Sequence, residues 1–230
     1  MKEHFYKIAK PDGWDFYTGK TINYRDSVGR AVRRRSQGKL RLCSSTAIHA
    51  SRDPNQCFIG GGLPCSLYRV EGKPFAEDKE KCGFKQLRIV KELNPEKTFK
   101  WRYREAYNPV HPFKIKPPKK ITEKHIKLLR QWDSVRDSVW YSVGNSVWDS
   151  VGDSVRDSVR YSVWDSVGDY IGYIFAPVVK KWKYIDHKPG EYPFRPTVDL
   201  WKMGLVPSFD GEKWRLHGGE KAKILWGGKL

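Results

Sequence analysis

Chemistry-bearing residues crowd one stretch near the start of the chain, "CSSTAIHASRD", which places Cys43, Ser44, Ser45, His49, Arg52 and Asp53 within eleven residues. Ser45, His49 and Asp53 are the candidate catalytic set: a nucleophile, a base and an orienting acid. Such triads are assembled by folding and not by proximity in sequence, so a strand carrying a buried polar cluster is the competing reading. The thiols offer a second chemistry. Cys43, Cys57 and Cys65 with His49 make a candidate zinc ligand set, but no cysteine spacing is the short C-x-x-C pair that clamps that metal, and free thiols are expected. Neither a resident metal nor a cofactor is expected.

A third chemistry precedes this stretch. "RAVRRRSQGKLR" gathers Arg30, Arg33, Arg34, Arg35, Lys39 and Arg41, with Tyr24 nearby. Cations beside an aromatic can grip phosphates and stack on a base, whereas the plain alternative is a solvated basic loop. Charge over the whole chain, formally +18, is unevenly placed. Residues 1–132 hold 30 Lys and Arg against 13 Asp and Glu, residues 133–176 hold 3 against 7, and residues 177–230 hold 11 against 6. A polyanion would therefore be drawn to the first segment and repelled by the middle one.

These groups need elements to hold them. "FYKIAKPDGWDFYTGKTINY" alternates apolar and polar residues around Pro11-Asp12-Gly13 and Thr18-Gly19, the pattern of short strands and tight turns. "LRLCSSTAIHAS", "CSLYRVEG" and "FKQLRIVKEL" read as further strands. "AYNPVHPFKIKPPKK" holds four prolines and reads as a linker or a surface-lying arm. A helix is expected to begin after Thr122 and to run straight into the next segment. In the tail, "KWRLH" and "KAKILW" flank Gly218-Gly219 as a hairpin, with Trp201, Trp214 and Trp226 as its small core.

The middle segment repeats Ser-Val every fourth residue, nine times, from Ser134 to Val167. As an α-helix its valine stripe would advance about 40° per repeat, so over nine repeats it winds nearly round the rod, and another coiling helix could follow it. Small residues at fixed spacing allow close backbone approach. Self-association is expected through Ser138, Val139, Ser142, Val143, Ser146, Val147, Ser150 and Val151. The alternative is a β-solenoid. Asp in the repeat suggests calcium only weakly, since Tyr or Asn replaces it at intervals and Gly recurs irregularly.

The stretches "YKIAKPDGWDFYTG", "RLCSSTAIHASRDPNQCF", "PCSLYRVEG", "WDSVRDSV" and "GLVPSFDGEKWRLHGG" together resemble a bacterial and phage family, sometimes labelled pentapeptide-repeat-like, in which a WDSV-type tetrapeptide array sits between two globular ends. The resemblance implies a phage or prophage setting and no particular activity. The "YRVEG" strand with an upstream His gives a fold-level analogy to ADP-ribosyl-transferring domains.

The expected fold is α+β: a basic domain, α+β or mostly β, over 1–105, a proline-rich linker over 106–120, a helix start and repeat over 121–176, and a Trp-rich domain with a β-hairpin over 177–230. The expected function is that of a non-enzymatic scaffold associating with itself. Non-specific nucleic-acid binding is the first alternative, and an ADP-ribosyltransferase-like enzyme with a site near His49 the second. An acidic partner other than nucleic acid would fit the same charge. With no run of about 20 apolar residues, no membrane partner is expected. The start, "MKEHFYKIAKPDG", lacks the apolar core of an export signal, so the expected location is the cytoplasm, the host cell's if phage-encoded.

Overall fold

A computed structural model describes residues 3–42, 44–58, 61–151 and 168–230. The fold is α+β, and the described residues form three small antiparallel sheets and six α-helices. They divide into two compact units, one built from the residues up to Tyr103 and the other from Arg104–Ser150 with the chain from Gly168 on. The repeat between 152 and 167 lies outside the described residues.

In the first unit a four-stranded sheet runs, in spatial order, β1 (Phe5–Ala9), β4 (Ser66–Glu71), β7 (Gln86–Leu93) and β2 (Ala31–Arg33). A three-stranded sheet follows the order β3 (Ile48–Ala50), β6 (Cys82–Phe84) and β5 (Ala76–Glu77). Strand alternation sends Phe5 and Ala9, Tyr68 and Val70, and Leu87 and Ile89 to one side, where they meet Ile48, Ala50 and Phe84. Each buried Phe, Val, Leu or Ile among them contributes roughly 1.5–3 kcal/mol. A separate aromatic stack of Phe58, Phe99, Trp101 and Tyr103 is anchored by the Tyr103 hydroxyl, which donates to the Cys65 carbonyl at 2.8 Å and accepts from the Cys65 amide at 2.6 Å. Phe99 comes from the short helix α1 (Pro95–Phe99), which Asn94 caps through the Lys97 amide.

The second unit begins in α2 (Tyr103–Tyr107) and continues through an arm to α3 (Glu123–Asp133). The arm alternates: Ile115 and Pro117 turn inward against Gly204 and Gly218, while Lys114 and Lys116 stay exposed. Thr122 starts α3 with a reciprocal cap, its amide donating to His125 Nδ1 at 2.9 Å. The C-terminal sheet, β8 (Leu205–Phe209), β9 (Trp214–Gly218) and β10 (Lys223–Gly228), contains the hairpin about Gly218-Gly219. Trp214 is buried in its core and Trp226 packs against it beside Ile126 and Leu129. Trp201 does not join them. It lies on α6 (Arg195–Lys202) and stacks on Tyr170 at 5.9 Å, because the residues of α6 that reach the hairpin core are on its Leu200 face.

The helix from Thr122 does not run unbroken into the repeat. It ends at Asp133, a 3₁₀ turn spans Arg136–Ser138, and α4 (Val139–Val151) starts afresh. Ser, Val and Asp are mediocre helix formers, and Ser134 Oγ turns back onto the Gln131 carbonyl. The break also aims Arg136 over the Phe209 and Trp214 rings at 5.0 and 5.4 Å.

Along α4 the repeat packs against its own unit. Val139, Ser142, Val143, Ser146 and Val147 are buried, while Tyr141 and Asp149 face out. Those buried positions fall at i, i+3, i+4, i+7 and i+8. Across these two repeat steps the drift is only about 80°, which a stripe over 100° wide absorbs. The covering elements are α5 (Gly168–Phe175), whose Gly168 and Gly172 back onto Val139 and Val143, and the Lys183 amide, which donates to Ser146 Oγ at 2.8 Å. Of the residues expected to self-associate, Val139, Ser142, Val143, Ser146 and Val147 are buried within this unit. Ser138 is half-buried in the 3₁₀ turn, Ser150 bonds back to the Ser146 carbonyl, and Val151 ends the described helix. Among the described residues there is no solenoid, and no helix is long and apolar enough to cross a membrane.

Candidate functional site

A cavity of about 460 Å³ opens in the first unit, walled by β1, the loop from Asp15 to Tyr24, the Arg34–Ser36 segment and the start of β3. Its floor carries an unexpected charge. In "FYKIA" the period of two puts Lys7 in phase with Phe5 and Ala9, and its ammonium lies 5.7 Å from the centre of the buried Tyr24 ring. Burial pulls the Lys7 pKa below the ordinary lysine value, against the opposing pull of Cys57 and Asp15.

The loop above it is built around one carboxylate. Gly13, at φ +91°, makes the turn that L side chains resist, and a Cβ there would come within 2.6 Å of Asn23. The chain then returns, the Asp15 amide donating to the Ile22 carbonyl at 3.0 Å. Asp15 accepts from the Thr18 amide at 2.7 Å, the Thr18 hydroxyl at 2.8 Å, the Thr21 hydroxyl at 2.6 Å and the Thr21 amide at 3.1 Å. Burial pushes this carboxyl up, but the bonds from Thr21 and Thr18 outweigh it and hold it well below the usual carboxylate range. The loop they fix presents Phe16, Tyr17, Thr18 and Thr21 to the cavity, with Tyr17 84% exposed.

Asp15→Asn should cost about 2 kcal/mol, the worth of bonds to a charged acceptor. Because the folded carboxyl titrates below its unfolded value, this stabilisation is full above about pH 4 and fades as pH falls further. Thermal melts at pH 7 and pH 3 check it: the gap between the two proteins should narrow at acid pH, and an equal gap at both would contradict the assignment.

The sequence-marked basic residues part company here. Arg34 donates to the Gly38 carbonyl at 3.0 Å and the Thr46 carbonyl at 3.3 Å, which fixes its guanidinium in the cavity wall beside Arg35. Arg33 and Arg35 are exposed on β2 and its extension. Arg30 turns away to the Asp26 carbonyl, while Lys39 and Arg41 are exposed and do not line the cavity.

The "CSSTAIHASRD" stretch is divided too. Ser44, Ser45 and His49 line the cavity, but Asp53 caps the 3₁₀ turn Pro54–Gln56 through the Asn55 amide, so Ser45, His49 and Asp53 form no triad. His49 Nε2 meets the Leu42 carbonyl at 2.5 Å, and a carbonyl only accepts, so Nε2 carries the proton. Burial lowers the His49 pKa despite that bond, leaving a neutral ring with Nδ1 as an acceptor. Ser44 Oγ is spent on the Arg41 carbonyl and Thr46 Oγ1. Arg52 pairs with Glu3 and Glu77.

Of the metal candidates, Cys43 lies outside the described residues, and Cys57 and Cys65 are buried free thiols. Among the described residues no three of His, Cys, Asp and Glu stand together as a metal site.

Lys7, Asp15, Tyr17, Thr18, Thr21 and Lys81 join the site without having been marked in the sequence. Two signals were there to read: Lys7 in phase with apolar strand residues, and Asp15 followed at short spacing by two threonines able to close on it. Comparison of the chain with protein-family models, with curated proteins and with solved structures returned no match.

Proposed function

We propose that the first unit binds a nucleotide-type ligand, its phosphate among Arg34, Arg35, Lys7 and Lys81 and its base against Tyr17. One observation carries the reading. Four cationic side chains line the cavity against a single carboxylate, and that carboxylate is already saturated by Thr18 and Thr21. Asp15 offsets the charge of Lys7 and Asp78 meets Lys81 at 3.7 Å, but Arg34 and Arg35 have no ion pair among the described residues, and that excess favours an anion. The cavity volume is within the range of small-ligand sites, about 300–1,000 Å³. An exposed tyrosine at a cavity mouth is the usual platform for a base, worth about 1–3 kcal/mol. Threonine and serine hydroxyls supply further donors.

Titration calorimetry of the full chain with a nucleoside monophosphate and with its nucleoside tests this. The nucleotide should bind at least tenfold tighter, and Arg34→Ala with Arg35→Ala should remove that advantage. A phosphate arriving beside Lys7 raises the lysine's lowered pKa, so binding should also take up protons, increasingly as pH rises into its titration range. Repeating the titration in buffers of different ionisation enthalpy reads this uptake. Equal affinity for nucleoside and nucleotide would refute the proposal.

A further inference from the structure

The cavity has an extension that a mononucleotide does not need. Arg34, Arg35 and Ser36 line both the cavity and a shallow groove of about 340 Å³, whose other walls are Arg33, Gln37, Lys85 and Gln86. No carboxylate lines the groove, and Arg33 and Lys85 are exposed and without an ion pair among the described residues. The sheet brings their two chain segments together: Arg33 is in register with Gln86, and the Arg34 amide donates to the Lys85 carbonyl at 3.0 Å, so Lys85 stands opposite Arg34, one step along from Arg33. Exposure alternates from Ala31 to Arg35, so Arg33 and Arg35 share a face about 6.6 Å apart by strand geometry. That spacing is within reach of successive phosphates of one nucleic-acid strand.

Resting on the nucleotide reading above, we infer that the ligand is a single-stranded nucleic acid, with one unstacked nucleotide in the cavity and the phosphates next to it along Arg35, Arg33 and Lys85. A duplex is disfavoured, since a base enters the cavity only after leaving its stack, and that exchange costs least in a single strand. Arg34 and Arg35, common to both spaces, hold the phosphate where cavity and groove join.

Fluorescence anisotropy of the full chain with a labelled eight-nucleotide single strand, competed by the matching mononucleotide and by the matching duplex, tests this. The single strand should bind at least tenfold tighter than either competitor. Arg33→Ala with Lys85→Ala should bring the single strand down towards the mononucleotide, lower its log affinity against log salt slope by about 1.4 for two lost phosphate contacts, and leave the mononucleotide unchanged. Arg33→Gln with Lys85→Gln guards against a folding defect, and its melting curve should match that of the unaltered protein. A single strand no tighter than the mononucleotide, or a duplex equal to the single strand, overturns this inference while the nucleotide reading stands. Failure of every ligand to bind overturns both.

Discussion

Asp169→Asn is expected to raise the melting temperature at pH 8 and to flatten its dependence on pH below that. Asp169 sits at the start of α5, a helix buried on every side, and its Oδ1 has no hydrogen-bond partner among the described residues. Burial pushes its pKa up to about 8, outweighing the opposite pull of the neighbouring Thr197 hydroxyl. The folded state therefore binds a proton more tightly than the unfolded chain, whose carboxyl titrates near 4. Between those values the native state holds more protons, so stability falls as pH rises from about 4 to about 8 and is level above. The whole window is worth on the order of 5 kcal/mol as an upper bound. Asparagine keeps the shape and removes the titration. Denaturant unfolding of both proteins at pH 4.5, 6, 7 and 8.5 gives the difference profile; parallel profiles would refute the assignment.

A second pair of substitutions should move stability in opposite directions. Glycine in a helix costs about 1 kcal/mol relative to alanine, so alanine is a gain wherever a methyl fits. At Gly144, on α4, nothing lies within 4 Å of the added carbon, and Gly144→Ala should stabilise by up to about 1 kcal/mol. At Gly172, on α5, the carbon would fall 2.4 Å from the Tyr192 hydroxyl and 2.9 Å from Val143. Tyr192 cannot yield cheaply, because its hydroxyl bonds the Asp169 carbonyl and its ring packs on Trp182 at 4.9 Å. Gly172→Ala should cost about 1–3 kcal/mol, or roughly 2–4 °C per kcal/mol in a melt. If both variants stabilised, the close packing of α4 on α5 would be wrong.

The contrast between these glycines shows what the sequence carried and what it withheld. Hydrophobic alternation and Gly218-Gly219 made the C-terminal hairpin readable, since turn chemistry and strand period are local. The arginine run was likewise plain, and part of it lines the cavity. Burial inside the repeat was not readable. Asp149 and Asp169 fall at the same phase of the four-residue period, five steps apart, yet Asp149 is exposed and pairs with Lys183 while Asp169 is sealed in the core. Only the elements that arrive later in the chain, Trp182 to Phe194, decide which face is covered. Trp201 illustrates the same limit: its type favoured a core position, but the phase of a short helix set against three neighbours decided which core. The triad failed for a related reason, because Asp53 met a nearer backbone amide first.

β2 closes one side of its sheet, with β7 on one flank and no strand on the other among the described residues. Such an edge offers open amides and carbonyls to any extended chain, including a second copy of the protein. Arg33 and Arg35 stand on this edge and its extension, and a neighbouring strand would have to bring its own backbone between like charges. The cations proposed to meet phosphate would thus also hinder the sheet from growing by accretion, and a polyanion bound across them would neutralise that guard while physically covering the edge it protects.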